Sequence, residues 1–372
     1  MKFEINREKF IELMAIGGTM AGKAKTVPIL EFAKVSIRDF DITVQSFDLE
    51  CSISKSGKVL TADSNHEFMV SPIDLAKALR SLSDETISVE VSNSTLTVKH
   101  SGGDMTMPTY DAKSYPEASR GSEEAKKTLI VPTELLNKWL PICQNFVAED
   151  DFRPILNGVL IFVKEGHIGV CATDSRKLYT DSTEFVSIDD DVEAVLSSTA
   201  IRPLLNVISG HDSVTMIVDD KNFTFKTPDS ELSCRIIEGT YPNFKAIIPN
   251  DNTIVVKLPT KDLKSSINRV GLFSDKTTTL VKLNILKGNT LIVEGSDMDF
   301  SKKATETLNV DHVGDDLSIG VKHDYLYTCL SSVESERVSL LFKNQFGAIL
   351  IDDECNPNQR ILLMPMIINQ LG

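Results

Sequence analysis

The segment LPTKDLKSSINRV at residues 258–270 is the third copy of one pattern. The two earlier copies are VPTELLNKWLPIC at residues 131–143 and INREKFIELMAI at residues 5–16. Asn6, Thr133 and Thr260 lie 127 positions apart in turn, and side-chain oxygens of these residue types cap helix N-termini. Apolar or thiol side chains follow each of them seven and ten positions later, as one face of a helix requires. The pattern predicts the same amphipathic helix three times, with these three residues as N-caps.

A second helix and a pair of strands follow each first helix at the same spacing. The predicted second helices are PIDLAKALRSL at residues 72–82, TAIRPLLNVIS at residues 199–209 and HDYLYTCLSSV at residues 323–333. Each is followed by apolar residues in alternation, which predicts half-buried strands. In the third copy we expect the second strand of the pair to include Phe346.

Two tyrosine–proline pairs mark the exits from the first two copies. Tyr115 stands in SYPEA and Tyr241 in TYPNF, 126 positions apart, and three consecutive domains need only two such exits. A unit of about 125 residues with two helices and several strands can bury its own core. The sequence therefore predicts three α+β domains, each with two helices on an antiparallel sheet. The predicted boundaries are residues 1–125, 126–250 and 251–372.

An aspartate follows a short β-prone run in each copy, at Asp48, Asp174 and Asp297. An aspartic protease needs two carboxylates that share a proton, on tight turns that contain glycine, and no glycine follows any of the three. We therefore interpret them as Asx turns that end strands. The six histidines form no metal-binding or catalytic motif, and no P-loop is present. We expect no catalytic site, no metal and no cofactor.

The composition bounds the class of protein. The six cysteines contain no C-x-x-C pair, which argues against a zinc site and against a disulfide framework. No apolar run approaches the length of a membrane span, and the charged N-terminus MKFEINREKF lacks the apolar region of a signal peptide. We therefore expect a cytoplasmic protein with reduced thiols. The net charge of −14 is unusual for a protein that holds DNA through its phosphates.

Basic residues nevertheless collect on the predicted helices. Lys77 and Arg80 fall opposite the leucine stripe of their helix, and Lys261 and Arg269 fall opposite the apolar stripe of theirs. Further basic residues are Lys23 and Lys25 in AGKAKT, and Lys138 and Arg202 in the second copy. Singly, each fits a solvated helix face. Together they predict a basic helical layer, with the excess acid elsewhere.

The whole chain resembles the bacterial sliding clamp, the β subunit of DNA polymerase III. The segments that carry the resemblance are TVPIL at 26–30, FRPILNGVL at 152–160, CATDSRKL at 171–178, EGTYPNF at 238–244 and LLMPM at 362–366. The resemblance implies a head-to-tail homodimer whose six domains close a ring around duplex DNA and act as a processivity factor. The basic residues named above would then be DNA-binding. The apolar pair Leu272 and Phe273 in GLFSD would lie at the dimer interface.

The resemblance also implies a groove that binds short peptides of the replicative polymerase, the clamp loader and repair proteins, between the second and third domains. Its residues would be Arg153, Leu156, Thr173, Ser175, Arg176, Lys177, Leu178, Pro242, Ala246, Ile247, Thr278, Lys322, Tyr325, Phe346, Ala348, Leu362, Leu363, Met364, Pro365 and Met366. Met364 and Leu178 would form the floor of the pocket.

The chain departs from the family pattern at five positions. Ser175 stands where the family often has glycine, and Pro154 and Ile155 stand where it often has tyrosines. Ala24 and Asp150 align with an arginine and a glutamine that contact DNA in the family. The alternative to a clamp is a three-repeat protein-binding scaffold that never meets DNA. Oligomeric state separates the two, because a ring requires a dimer.

Overall fold

The computed structural model of the chain describes residues 1–22, 27–116, 126–185, 191–297 and 299–367. The helices in these residues are α1 (Arg7–Gly17), α2 (Pro72–Arg80), α3 (Thr133–Cys143), α4 (Ser198–Ile208), α5 (Thr260–Gly271) and α6 (His323–Ser331). The chain divides into two compact units. The first unit comprises Met1–Lys138 and Leu196–Ile237, and the second unit comprises Trp139–Val195 and Glu238–Gly372.

The strands of the described residues are short and pair antiparallel. Up to residue 132 they are β1 (Lys2–Asn6), β2 (Ala33–Arg38), β3 (Asp41–Phe47), β4 (Cys51–Lys58), β5 (Thr61–Ala62), β6 (His66–Val70), β7 (Thr86–Ser92), β8 (Thr95–His100), β9 (Gly103–Pro108) and β10 (Lys127–Pro132). Up to residue 235 they are β11 (Gly158–Lys164), β12 (His167–Thr173), β13 (Lys177–Glu184), β14 (Val192–Ser197), β15 (Ser213–Val218), β16 (Asn222–Lys226) and β17 (Ser230–Arg235). The rest are β18 (Ile254–Pro259), β19 (Leu280–Leu286), β20 (Thr290–Asp297), β21 (Lys302–Asn309), β22 (Asp311–Val313), β23 (Leu317–Lys322), β24 (Arg337–Phe342), β25 (Ile349–Asp353) and β26 (Arg360–Leu363).

Two sheets form the first unit. One has five strands in the order β5-β1-β7-β8-β9. The other has eight, in the order β10-β15-β16-β17-β4-β3-β2-β6. Strands β17 and β4 join the second predicted repeat to the first within this sheet, with Leu232 opposite Ile53. The sheet continues across the predicted boundary at residue 125, and this continuity explains why the chain forms fewer compact units than it has repeats.

The second unit is built in the same way. Its larger sheet has nine strands, β14-β11-β12-β13-β26-β25-β24-β18-β22, and its smaller sheet has four, β21-β20-β19-β23. Strands β13 and β26 join the second repeat to the third, with Leu178 opposite Leu362. Helices α5 and α6 pack on each other, and α5 also packs on β20 and β21. The four-stranded sheet leaves β21 unpaired along one side among the described residues.

The predicted apolar stripes form the cores. In α1, Phe10, Leu13 and Met14 are buried, and the ring of Phe10 meets that of Phe3 edge-on at 6.0 Å. In α2, Leu75 and Leu79 are buried in the same cluster. A leucine buried in this way contributes roughly 1.5–3 kcal/mol, so the helical period of the sequence fixes which face of each helix meets its sheet.

The N-cap prediction is right for one helix and wrong for two. Asn6 precedes α1, and its side chain accepts a hydrogen bond from the amide of Lys9 at 3.1 Å. Thr133 and Thr260 are instead the first residues of α3 and α5. The prediction erred because a threonine hydroxyl can donate as well as accept, and a nearby carbonyl oxygen takes this donor.

The same position carries a side-chain donor in all three repeats. The hydroxyl of Thr260 donates to the carbonyl of Ser335 at 2.8 Å, and the hydroxyl of Thr133 donates to that of His211. The matching donor in the first repeat is Nε of Arg7, which reaches the carbonyl of Asp84 at 2.7 Å. The repeat is therefore in register at Arg7, Thr133 and Thr260, one residue later in the first copy than the sequence comparison placed it.

Two further sequence predictions meet different outcomes. Asp48, Asp174 and Asp297 each accept backbone amides from residues two or three positions ahead, so the Asx turns are confirmed. Phe346 does not belong to a strand. It lies in the loop between β24 and β25, where the side chain of Asn344 accepts its amide at 2.9 Å. This Asx turn replaces the tight hairpin that the alternation predicted.

The tyrosines of the two tyrosine–proline pairs are bonded alike. The phenol of Tyr115 donates to the carbonyl of Phe32 at 3.2 Å, and that of Tyr241 donates to the carbonyl of Cys171 at 3.3 Å. Burial raises the pKa of Tyr115 to about 12 and raises that of Tyr241 further. Both hydroxyls therefore remain protonated donors at neutral pH. Each one bonds the segment that leaves a repeat to a backbone carbonyl earlier in that repeat.

Acid stability of the eight-stranded sheet is predicted to depend on Glu67. Its carboxylate accepts Nη2 of Arg38 at 2.7 Å and Nζ of Lys34 lies at 3.1 Å, which lowers its pKa from 4.5 to about 2. Because the folded pKa lies below the unfolded value, this stabilisation is present above pH 4.5 and is lost as the pH falls toward 2. Glu67→Gln should cost about 1 kcal/mol at neutral pH, and the difference from wild type should shrink as acid is added. Urea denaturation at neutral and acidic pH measures both; equal stability at neutral pH would contradict the prediction.

Candidate functional site

Strand β26 forms the back of the candidate groove in the second unit. It lies between β13 and β25, with Leu363 opposite both Lys177 and Ile349. Leu362 and Leu363 are both buried, and as consecutive residues of a strand they lie on opposite faces of the sheet. A central strand bonded on both sides is rigid, so the residues that follow Leu363 leave the sheet from a fixed point.

The chain stays extended after β26 and crosses to the smaller sheet. The amide of Met364 donates to the carbonyl of Arg176 at 2.8 Å, and the amide of Met366 donates to that of Gly320, also at 2.8 Å. Pro365 stands between them and has no amide to leave unpaired. Met364 is 45% exposed although both flanking bonds hold its backbone. The segment LLMPM is thus an ordered strip that presents a methionine to solvent.

A buried carboxylate fixes the approach to β26. Oδ2 of Asp181, on β13, accepts Nε1 of Trp139 at 2.9 Å and Nδ2 of Asn356 at 2.7 Å. The hydroxyl of Tyr179 lies 3.4 Å from the same oxygen. Burial, with this carboxylate beside it, raises the pKa of Tyr179, so the phenol remains a donor. Asn356 lies just before β26, and the network therefore ties the turn before that strand to α3 and β13.

The turn after β12 lies on the polar side of the candidate groove. Oδ1 of Asp174 accepts the amides of Arg176 and Lys177, both at 2.8 Å. Ser175 at its tip has a φ of +74°, a left-handed conformation that favours glycine. Its hydroxyl accepts Nη1 of Arg153 at 2.7 Å, a bond that glycine could not make. The serine therefore orders Arg153 at some cost in backbone strain.

Arg153 is held from two directions. Besides Ser175, it contacts Oδ2 of Asp150 through Nε at 2.9 Å and Nη2 at 2.8 Å. The arginine lowers the pKa of Asp150, with help from the amide of Phe152. Such a fork-like contact fixes the guanidinium plane, so Arg153 stands at the rim of the groove in one orientation.

Lys177 is committed to internal contacts. It is buried, and its ammonium lies 2.7 Å from Oδ2 of Asp174. It also stands over the rings of Phe146 at 5.5 Å and Tyr325 at 5.3 Å. Lys322 approaches the same tyrosine at 4.9 Å. Cations near a ring face are attracted to it, so these lysines position Tyr325 beside the turn.

The remaining predicted groove residues differ in exposure. Leu156, Leu178 and Thr173 are buried and can contribute only from beneath the surface. Those at least partly exposed are Pro242, Ala246, Ile247, Thr278, Phe346 and Ala348. The hydroxyl of Thr278 donates to Oδ1 of Asp275 at 2.9 Å. The structure thus brings together Arg153, Ser175, Arg176 and the LLMPM strip.

A cavity of about 510 Å³ opens beside this turn. Its lining includes residues that the sequence interpretation missed, namely Val147, Ala148, Glu149, Asp151, Phe152 and Asp174. Asp150, Arg153, Arg176 and Tyr325 complete the wall. The Asx-turn pattern at Asp174 was visible in the sequence and could have marked this turn as part of the site. The contribution of residues 147–152 had no comparable signal.

Most of the basic positions on the helices are exposed. Lys77, Arg80, Arg202 and Lys261 are exposed. Arg80 and Arg202 line a cavity of about 420 Å³ in the first unit, together with residues of α1. Lys138 is half-buried. Lys23 and Lys25 lie outside the described residues.

The charge of Arg269 is already paired. Glu306 accepts its Nε at 2.7 Å and its Nη2 at 2.8 Å. The glutamate raises the pKa of Arg269, and the arginine lowers that of Glu306. Less of its positive charge is available to a ligand than that of Lys261 on the same helix.

Exposed apolar residues cluster at the β21 side of the smaller sheet. Leu272 is 76% exposed and Phe273 is 42% exposed, directly after α5. The amide of Asp275 donates to the carbonyl of Ser296 at 3.2 Å, which holds this segment near the end of β20. Phe300, in the turn before β21, is also exposed. Exposed apolar patches of this kind mark interaction surfaces.

Models of one protein family match three consecutive stretches of the chain. They describe the N-terminal, central and C-terminal domains of the DNA polymerase III beta subunit, and they match residues 1–119, 130–243 and 245–367. The chain belongs to the DNA polymerase III beta subunit family. Its class of function is therefore that of a DNA sliding clamp, a processivity subunit without its own catalytic site.

Individual members of the family are distant in sequence and similar in fold. The beta sliding clamp of Haemophilus influenzae is 22% identical over 372 residues, covering 98% of this chain and 100% of the relative. The crystal structure of the DNA polymerase sliding clamp from Pseudomonas aeruginosa with ligand has a TM-score of 0.93 at 20% identity, covering 99% of this chain and 100% of that one. The sliding clamp from Bacillus subtilis has a TM-score of 0.92 at 20% identity, covering 99% of both chains. The α+β repeat fold expected from the sequence is confirmed.

Other classes of site are not evident in the described part of the sliding-clamp chain. Its residues contain no group of three or more His, Cys, Asp or Glu side chains arranged to hold a metal ion. None of its described helices has both the length and the apolar character of a membrane span.

Proposed function

We propose that two copies of this chain assemble head to tail into a ring around duplex DNA. The ring tethers the replicative DNA polymerase through the groove described above, and the clamp loader and repair proteins bind there through short peptides. We further propose three domains with boundaries near residues 125 and 250, and a cytoplasmic location. The family match along the whole chain is the observation that carries the proposal.

The open sheet edges support head-to-tail pairing. The two large sheets have eight and nine strands, each combining two repeats, whereas the remaining sheets have five and four. Strand β9 is an edge of the five-stranded sheet, and β21 is an edge of the four-stranded sheet. Pairing β9 of one copy with β21 of another would join these two smaller sheets into one nine-stranded sheet. Unpaired edges otherwise invite aggregation. Lys302 and Lys303 on β21 and Asp104 on β9 carry opposite charges, which would favour such a contact.

The acidic net charge is compatible with a ring held by topology. A protein that encircles DNA need not neutralise many phosphates, so weak contacts from a basic helical layer are sufficient and allow sliding. An acidic outer surface would repel other DNA segments. The charge of −14 gives the sum of the charges and not their distribution, so it does not exclude a DNA partner.

Retention on circular DNA tests the proposal. Clamps loaded on nicked circular DNA should co-elute with it and should be released when one cut makes the DNA linear. Retention that is unchanged by linearisation would show ordinary binding and contradict the ring. A monomer that associates with neither circular nor linear DNA would favour the three-repeat scaffold. No observation on the described residues specifically supports that scaffold.

Alanine substitutions on the helical layer should weaken DNA binding mildly. We expect Lys77→Ala, Arg80→Ala and Lys261→Ala each to reduce the salt dependence of binding by about one counterion, with little change in melting temperature because the side chains are exposed. Arg269→Ala should have a smaller effect, since Glu306 already pairs with it. Fluorescence anisotropy of a short duplex across salt concentrations measures this.

A surface lysine outside the helices provides the control. Lys287 is exposed in the turn after β19, and Lys287→Ala should leave the salt dependence unchanged. If Lys287→Ala had the same effect as the helix variants, the binding would reflect general charge and not a basic helical layer.

A further inference from the structure

Two of the six cysteines lie directly opposite each other on neighbouring strands. Cys51 begins β4, and Cys234 is the residue of β17 that faces it in the register of the eight-stranded sheet. This strand pair is the one that joins the first repeat to the second. Neither cysteine forms a disulfide, and both are buried.

The backbone hydrogen bonds around Cys51 show whether it forms a hydrogen-bonded or a non-hydrogen-bonded pair with Cys234. The amide of Cys51 donates to Oδ1 of Asp48 at 2.7 Å, and its carbonyl accepts the amide of Asp48 at 3.0 Å. Both polar groups of Cys51 therefore point away from β17. The neighbouring pair is bonded instead, since the amide of Arg235 donates to the carbonyl of Glu50 at 2.9 Å. Cys51 and Cys234 thus form a non-hydrogen-bonded antiparallel pair.

That geometry suits a disulfide. Opposite Cα atoms in non-hydrogen-bonded pairs are about 4.5 Å apart, and disulfide-linked Cα atoms are usually about 4.4–6.8 Å apart. The side chains of Cys51 and Cys234 lie on the same buried face of the sheet, alongside Ile53 and Leu232, which are the next inward-facing pair. Bond formation therefore requires rotation of the two thiols and no change of strand register.

The position in the sheet provides access. Cys51 is the first residue of β4, and Cys234 is followed by Arg235, the last residue of β17. Strand ends open locally at a smaller free energy than strand centres.

We propose that Cys51 and Cys234 are a redox site that forms a reversible disulfide by exchange with a low-molecular-weight disulfide. One cysteine thiolate attacks the small disulfide, whose S–S bond breaks and releases one small thiolate, leaving a mixed disulfide on the protein. The second cysteine thiolate attacks the protein sulfur of that mixed disulfide and releases the second small thiolate. Two electrons pass from the two cysteines to the small disulfide, and the two thiol protons pass to solvent or to the released thiolates.

The bond would link the first and second repeats covalently. It would close a loop from residue 51 to residue 234, and long loops constrain the unfolded chain strongly. The oxidised protein should therefore melt at a higher temperature than the reduced protein. The effect belongs to a single chain and does not require the ring.

The test uses the full chain with Cys355→Ser, which removes the exposed thiol that could link separate molecules. The folded protein is equilibrated in oxidised glutathione or in reduced glutathione, then alkylated and digested. We expect a peptide pair joined through Cys51 and Cys234, a loss of two mass units, and a melting temperature several degrees higher, all reversed by dithiothreitol. Cys51→Ser and Cys234→Ser in the same background should each abolish both the mass change and the shift.

Two results would overturn the proposal. One is a folded protein that carries only free thiols or only mixed disulfides with glutathione after equilibration. The other is a Cys51–Cys234 link that appears only when oxidation is carried out in denaturant. Mapping of the Cys355→Ser protein gives the answer even if a serine at either buried position prevents folding.

Discussion

Removal of residues 364–372 should abolish binding of a polymerase-derived peptide and leave the chain folded. The deletion removes the exposed Met364 and the two backbone hydrogen bonds to Arg176 and Gly320, but it retains β26 and its pairing with β13 and β25. Peptide grooves concentrate affinity in a few anchors that are commonly worth about 2 kcal/mol or more each. A labelled peptide titrated in fluorescence anisotropy measures the loss, and circular dichroism verifies the fold.

Met364→Ala tests the same site with a smaller change. We expect peptide affinity to fall about tenfold or more, which corresponds to about 1.4 kcal/mol, with little loss of stability because the side chain is half exposed. Arg153→Ala and Arg176→Ala at the rim should have smaller, more salt-dependent effects. Val313→Ala, an exposed apolar residue on β22, is the matched control and should bind like wild type. Equal affinity of wild type and the deletion would place the partner site elsewhere.

Replacing Leu272 and Phe273 together with glutamate should convert the dimer into a soluble monomer. Both side chains are exposed in the single chain, and a partner must cover them for such a patch to be tolerated. Desolvating two carboxylates in a contact without partners is costly, so we expect the dimer to dissociate at least about a hundredfold more readily, or about 2.7 kcal/mol. Light scattering gives the mass, and the variant should not be retained on circular DNA.

A second pair of exposed apolar residues in the same unit separates interface loss from general damage. Leu286→Glu with Val313→Glu adds the same charge at the ends of β19 and β22. This variant should remain dimeric and should stay on circular DNA. An unchanged mass for the Leu272 and Phe273 variant would show that the dimer interface lies elsewhere.

The candidate groove was only partly visible in the sequence. The LLMPM strip and the turn at Asp174 could be named because methionine next to paired leucines and an Asx turn are local patterns that match the family. The bond from Arg153 to Ser175 could not be predicted, since it joins side chains 22 positions apart across a turn whose tip has a positive φ. The sequence showed only that glycine was replaced.

The helix surfaces illustrate the same limit. The 3.6-residue period identified which face of α5 is exposed, and both Lys261 and Arg269 lie on that face. It did not reveal that Glu306, on β21, pairs with Arg269. Exposure is a property of one helix, whereas the availability of a charge depends on the neighbouring strand.

Periodicity and turn chemistry in the sequence predicted three repeats, the buried face of each helix and the Asx turns, and the segments that match the family supplied the resemblance to it. The helix faces and the turns depend on residues within a few positions of each other, so one sequence contains them fully. The tertiary structure was needed to show that β17 pairs with β4 and that β13 pairs with β26. Alternation of apolar residues predicts a half-buried strand but does not identify its partner, because the pairing energy comes from side chains far away in the chain. The two-unit division, the position of LLMPM and the opposition of Cys51 and Cys234 all follow from those pairings.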